Sequence, residues 1–419
     1  MLGERRRSHF GVLLLMMALP APVHPQSLMG GNGRGNSVRL FANDRAVLEA
    51  GEPRKDLPCS VEQEKPLLGF DLRFHAGYSV MVPLRELAGT ENLLTILFRV
   101  TPEAAPDDSI YFIQRIRVPA VEPDARGDAF LQGAFDLGEG RYRVDWLIRD
   151  RSERVCSAYW DLEAVLPPKD KQIAVMLPPN TVAAAEVEQF RDEPPIERNP
   201  DSGLNVKLMV NFAPQNARSA AMQPIDLSAL VSILRTISRD PRIGKFSVVA
   251  FNLQEQKVLF RQRDADRIDF PAIGRSLNEL RLGTVDLNRL ANKTGETDFL
   301  AQLLREELGG PDSPDAAIFA GPKAMLESNV APEVLKGLGE VRFPVFYMNY
   351  NLWPQQIPWK DSISHAIKHL QGTEYTISRP RDLWYAVTEI VSRVLKSRDR
   401  RRATSGAPAA VAVLAGDHQ

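Results

Sequence analysis

The sequence predicts an α/β doubly wound, Rossmann-like C-terminal domain preceded by an all-β, immunoglobulin-like sandwich, and three observations carry that expectation. Residues 66–165 hold about seven short, turn-bounded segments of alternating polarity, the pattern of half-buried antiparallel strands. Residues 203–396 change rhythm to strands alternating with helical periods, which points to a parallel sheet. Between them, residues 166–202 carry Pro167, Pro168, Pro178, Pro179, Pro194, Pro195 and Pro200, a density that predicts an extended acidic spacer.

Composition bounds the function before any motif does. With 419 residues, 44% of them apolar, the chain can bury more than one core. The 52 Lys and Arg against 53 Asp and Glu argue against nucleic acid as a partner, because phosphate binding leaves a basic domain.

Taken in order, residues 1–26 have the layout of a secretory signal peptide. A charged leader, Glu4 to Arg7, precedes an apolar run from Phe10 to Leu19 and then Pro20-Ala21-Pro22. A membrane-spanning helix needs about twenty apolar residues, so a permanent anchor is the weaker alternative. Cleavage after Ala21 and after Gln26 both fit, and the mature protein is expected in a secreted or periplasmic, cell-envelope location. In an oxidising compartment the two cysteines, Cys59 and Cys156, are expected to form one disulfide, with two buried free thiols as the alternative. Cys156 falls in phase with Ala158, Trp160 and Leu162 on the apolar face of a strand.

Residues 27–65, Gly- and Asn-rich at first, read as a flexible lead-in. The predicted sandwich strands are 68–74, 78–84, 93–100, 110–118, 129–137, 141–148 and 155–165. In the sixth, Tyr142, Val144, Trp146 and Ile148 share one face while charged residues hold the other. In the second region, 206–212 is an apolar strand and Asp226 caps a helix whose apolar face is Leu227, Leu230, Val231, Leu234 and Ile237. Strands are predicted at 245–253, 258–261, 316–320, 341–347 and 374–378. Helices are predicted at 270–280, 297–308, 323–338, 361–370 and 381–395, and residues 397–419 are expected to be a disordered tail.

The element order, the antiparallel edge at 258–261, the segment Gly295-Glu296-Thr297-Asp298-Phe299-Leu300-Ala301 and the closing run from Gly372 to Leu383 together resemble the von Willebrand factor type A fold. With the sandwich and the leader, the chain is similar to secreted, VWFA-related bacterial proteins. Members of that family often hold a divalent cation at a metal-ion-dependent adhesion site, through a DxSxS motif, a threonine and a later aspartate. Carried onto this chain, the motif falls on Asn211, Ala213 and Gln215, the threonine on Thr297 and the later aspartate on Gly321. Both carboxylates and both serine hydroxyls are missing, so the resemblance implies a degenerate site with no metal and no cofactor.

No catalytic constellation is expected. His365 and His369 stand at i, i+4 spacing but lack the glutamate of a zinc-protease motif, and of the remaining histidines only His75 lies in a folded region, so a Cys–His or His-centred triad has little to draw on. Tyr347, Tyr350, Trp353 and Trp359 cluster after the fifth sheet strand. They form either a protein-binding loop, with Tyr350, Trp353 and Trp359 as anchors, or a cover over the sheet end. The expected function is non-enzymatic and adhesion-type, the partner being another protein. A structural role in an envelope-associated assembly, with no ligand-binding edge, is the alternative.

Overall fold

A computed structural model describes residues 26–29, 40–186, 189–198, 203–216, 219–282, 292–310, 313–339, 341–352 and 360–405. Residues 1–25 of the expected leader, Trp353, Trp359 and residues 406–419 of the tail lie outside the described residues.

Alternating strands in the first half bury one side chain in two, and two sheets close over those faces. One has the order β1 (Ser27–Leu28), β5 (Ile110–Val118), β4 (Asn92–Pro102), β7 (Gly140–Arg149), β8 (Val155–Ala164). The other runs β2 (Ser60–Leu68), β3 (Phe74–Pro83), β6 (Asp128–Leu137), β9 (Val182–Ala184). Every pairing in both is antiparallel. Their facing surfaces share one core, in which Tyr78 stands edge-on to Phe98 and Trp146 while Phe98 stacks on Phe112. Cys59 and Cys156 are joined by a disulfide with a Cα–Cα distance of 6.3 Å and a sequence separation of 97. In the loop-closure account such a long loop corresponds to about 4–5 kcal/mol of stabilisation.

The lead-in contains more structure than its composition suggests. Helix α1 (Ala42–Ala50) lays Val47 and Leu48 against Leu97, Leu147 and Val155 on the outer face of the five-stranded sheet. Its Asp44 receives Arg149 Nε at 2.9 Å. The expected strand at 68–74 is instead a turn: Leu72 has φ 60°, and Asp71 Oδ1 accepts the Arg73 amide at 3.2 Å.

The Pro-rich segment also departs from the expected spacer, since β9 adds to the edge of β6 through Val182, Ala183 and Ala184. Gly138 in the β6–β7 turn permits this approach, because a Cβ there would lie 1.9 Å from the Pro178 carbonyl oxygen.

The fold class predicted from sequence, a doubly wound, Rossmann-like α/β domain behind a sandwich, requires correction. Among the described residues the molecule is mostly β, with three sheets, and eight of its twelve strand pairings are antiparallel. The third sheet is mixed, with the order β12 (Lys257–Ala265), β11 (Ile243–Asn252), β10 (Leu204–Asn211), β13 (Ala316–Pro322), β14 (Val345–Tyr350), β15 (Thr373–Ile377). The physical reason is connection length. Short turns join most strands of the first half and join β11 to β12, and a chain reversing over so few residues can pair only antiparallel.

Helices α2 (Pro224–Ser238), α3 (Phe270–Leu277) and α7 (Pro380–Ser405) share one core with the mixed sheet. Helices α4 (Gly295–Leu308), α5 (Pro332–Lys336) and α6 (Ser362–His369) share the other. Within the apolar run of β10, Lys207 is buried and donates to Glu307 at its carbonyl (2.9 Å) and at Oε2 (3.2 Å). Helix α7 runs past the predicted boundary at 395, and Arg401 reaches Asp315.

Among the described residues no helix is long and apolar enough to cross a membrane. The disulfide is compatible with a protein outside the cytoplasm.

Candidate functional site

The parallel strands β10, β13 and β14 end side by side, and that edge is where the resemblance would place a cation. Asn211, the last residue of β10, is buried, and its Oδ1 accepts the Leu253 amide at 3.2 Å. Gly321 lies directly against it: a Cβ at 321 would stand 2.8 Å from Asn211 Cβ, so the edge has no room for the aspartate that a cation site would need there. Ala213 contributes its carbonyl, which accepts the Tyr350 hydroxyl at 2.9 Å. Gln215 Oε1 accepts the Leu352 amide at 2.8 Å. Thr297, at the start of α4, donates instead to the Ser328 carbonyl at 2.9 Å.

Asn211, Ala213, Gln215 and Gly321 are thus gathered around β10 and its neighbours, while Thr297 is committed elsewhere. The neutral amides, the missing carboxylates and the closed approach at Gly321 do not fit a divalent cation, which needs several free oxygen ligands, mostly anionic.

The Tyr350 hydroxyl also lies 3.3 Å from Asp226 Oδ1, while Asp226 Oδ2 caps α2 from its first turn by accepting the Gln223 amide at 3.3 Å. Burial raises the Asp226 pKa, and burial beside Asp226 holds the Tyr350 hydroxyl protonated far into the alkaline range. Tyr350 is therefore a buried brace and not the exposed anchor that its place in the aromatic cluster suggested. Tyr347 is buried too and donates to the Pro322 carbonyl at 3.1 Å. Beside it, Asp361 caps α6 through the Ile363 amide (3.1 Å), and burial pushes its pKa up to about 6.

A second cluster was not legible in the sequence. His75 Nδ1 lies 2.8 Å from Asp136 Oδ1, and its Nε2 lies 2.9 Å from Asp71 Oδ1. Burial opposes the charge on His75, but the hydrogen bonds to Asp136 and Asp71 outweigh it and raise the pKa to about 10. Asp71 is lowered against its own burial by His75 and Arg73. These three residues have metal-ligand chemistry, and in this arrangement both imidazole nitrogens face carboxylate oxygens within hydrogen-bond distance.

The same carboxylates lead across to the mixed sheet. Arg73 joins Asp136 (3.2 Å) to Glu186 (3.7 Å), and Glu186 takes Arg235 of α2 at 3.2 Å and also pairs with Arg191. Glu193 bridges Arg235 (2.8 Å) and Arg239 (2.6 Å). The cluster is a continuous ionic seam between the sandwich and α2. His365 and His369 meet edge-on at 4.8 Å on α6.

No protein-family model and no curated protein matches the chain. Among solved structures it is similar to the conserved hypothetical protein BatB from Bacteroides thetaiotaomicron, at 14% identity and a TM-score of 0.29, covering 46% of this chain and 100% of that one. It is also similar to the PilB minor pilin from Streptococcus sanguinis, at 9% identity and a TM-score of 0.28, covering 75% of this chain and 89% of the pilin. A point mutant of that pilin matches at 7% identity and a TM-score of 0.28, over 82% of this chain and 80% of the mutant chain.

Proposed function

We propose that the protein is a secreted or envelope-located, non-enzymatic binding protein of adhesion type, which engages another protein without a cation. The observation that supports this reading is the way the polar groups at the ends of β10 and β14 are spent. Ala213 with Tyr350, and Gln215 with Leu352, tie the start of the segment after β14 to the end of β10. Asn351 is fixed likewise, its amide donating to the Ile377 carbonyl at 2.7 Å. The tryptophans at 353 and 359 therefore follow a braced strand end, the rigid support that aromatic anchors need.

The resemblance to type A domains adds a protein partner as the expected class of ligand and a degenerate cation site as the reason for cation independence. The ionic seam favours the alternative of a purely structural component, in which the two units act as one rigid body.

Capture from the producing organism's envelope fraction, read by mass spectrometry, tests both. A specific partner retained in EDTA, lost in the Trp353→Ala/Trp359→Ala variant and accompanied by an unchanged melting temperature supports recognition. Capture that requires Mg²⁺, or that ignores both tryptophans, overturns it.

A further inference from the structure

Strand β6 is next to the short edge strand β9 of the four-stranded sheet, and because β9 pairs only Phe135, Asp136 and Leu137, the rest of β6 forms the edge among the described residues. Backbone groups alternate in direction along a strand. The Gly138 amide donates to Thr181 on the β9 side, so the even-numbered residues of β6 face the open edge while the odd-numbered ones bond to β3. Ala134 agrees, since its carbonyl accepts Gln26 Nε2 at 2.9 Å. The edge-facing backbone of Asp128, Phe130 and Gln132 has no partner strand among the described residues.

The side chains of these residues are exposed, and Phe130 is 57% exposed beside the partly buried Met81. Natural edges are usually blunted by lysine, proline or a bulge, and β2, at the opposite edge, has Lys65, Pro66 and a register shift between Glu64 and Leu67. From Asp128 to Ala134 there is none of these.

We propose that this open edge of β6 receives an extended strand from a partner protein, added alongside β9 and carrying apolar residues next to basic ones. Strand addition supplies partners for the outward N–H and C=O groups that no described strand pairs, and the apolar side chains cover Phe130. The basic residues answer the acids on this face: Asp128 on β6, and Glu62 and Glu64, which align through β3 with Gln132 and Ala134. A second copy of the chain is disfavoured as the occupant, because it would set two such acidic faces side by side. The edge already accepts one extended segment at β9, which comes from the Pro-rich region and leaves the sheet after Ala184. This inference does not depend on the strand-end reading above, since it concerns a different sheet.

Hydrogen exchange on the full chain tests it first. In the free protein the Phe130 and Gln132 amides should exchange at least about a hundredfold faster than those of Leu131 and Gly133. Uniform protection along 128–134 overturns the proposal, because the edge would then already be covered.

The second measurement adds a synthetic peptide of about nine alternating valines and lysines, roughly the length of one strand. Protection of the Phe130 and Gln132 amides, with binding weakened at least about tenfold in Gln132→Pro, supports the proposal. Proline removes only an outward N–H there and is tolerated on edges, so the melting temperature should hold. Phe130→Thr, which keeps the backbone, should weaken binding less than Gln132→Pro if the hydrogen bonds dominate. No binding at millimolar peptide, equal binding to Gln132→Pro, or a concentration-dependent dimer broken by Gln132→Pro each overturns the assignment to a partner strand.

Discussion

His75 shows how a single side chain can belong to two kinds of argument. In the sequence it is a single histidine in a folded region, and no spacing marks a partner for it. The pairing of β3 with β6 sets His75 directly opposite Asp136, and the turn at Gly69–Arg73 returns Asp71 to its other nitrogen. Because the folded-state pKa is raised to about 10, the protonated pair stabilises the fold fully below about pH 6.5 and is lost as the pH rises through about 10. The side chain is 43% exposed, so solvent screening limits the effect to about 1 kcal/mol. Urea denaturation of the wild type and His75→Gln from pH 6 to pH 10 should therefore converge at the alkaline end, with the variant less stable at pH 6. A constant difference across the range would show that the ion pairs contribute nothing titratable. Asn211 and Gly321 make the opposite case. Their types could be read from the sequence directly, and the structure adds that a side chain at 321 would meet Asn211.

Among the elements, most sandwich strands were legible because an alternating pattern of four or more residues specifies which face is buried. Helix α1 was not, since only two large apolar residues, the adjacent Val47 and Leu48, in nine make no detectable period. A helix this short depends on its docking for stability. Leu48 is 2% exposed against Leu97 and Leu147, so Leu48→Ala should cost about 2–4 kcal/mol in chemical denaturation. A loss below about 0.5 kcal/mol would mean that α1 is not integral to the fold. The expected strand at 68–74 failed for a related reason. Its apolar residues Leu72 and Phe74 are indeed buried, but a turn with Asp71 accepting the Arg73 amide buries them as well as a strand would.

At the scale of the molecule, the Pro-rich segment is the joint and not a spacer. Glu186 sits between Arg73 on the sandwich and Arg235 on α2, while Arg381 of α7 reaches Asp170 at 3.2 Å. Trp384 of α7 packs against the sandwich core. Removing the Glu186 carboxylate leaves cations facing each other in a buried place, a change that costs more than the pair contributes. Calorimetry should show one transition for the wild type and two for Glu186→Ala, with faster proteolysis between residues 166 and 198. A single unshifted transition in the variant would assign the coupling to apolar contacts such as Trp384.

The sequence by itself determined which residues are apolar in which local period, where turns interrupt them, that Cys156 stands on the apolar face of a strand, and that neutral residues, Asn211, Ala213, Gln215 and Gly321, occupy the end of the first parallel strand and of its neighbour. Only the tertiary structure decided that antiparallel pairing dominates, that His75 lies between two carboxylates, that Tyr350 is a buried brace and that, among the described residues, β9 pairs only the last three residues of β6. Local periodicity sets the face a residue turns, whereas pairing partners and register depend on contacts between segments dozens of residues apart, which no window of sequence contains.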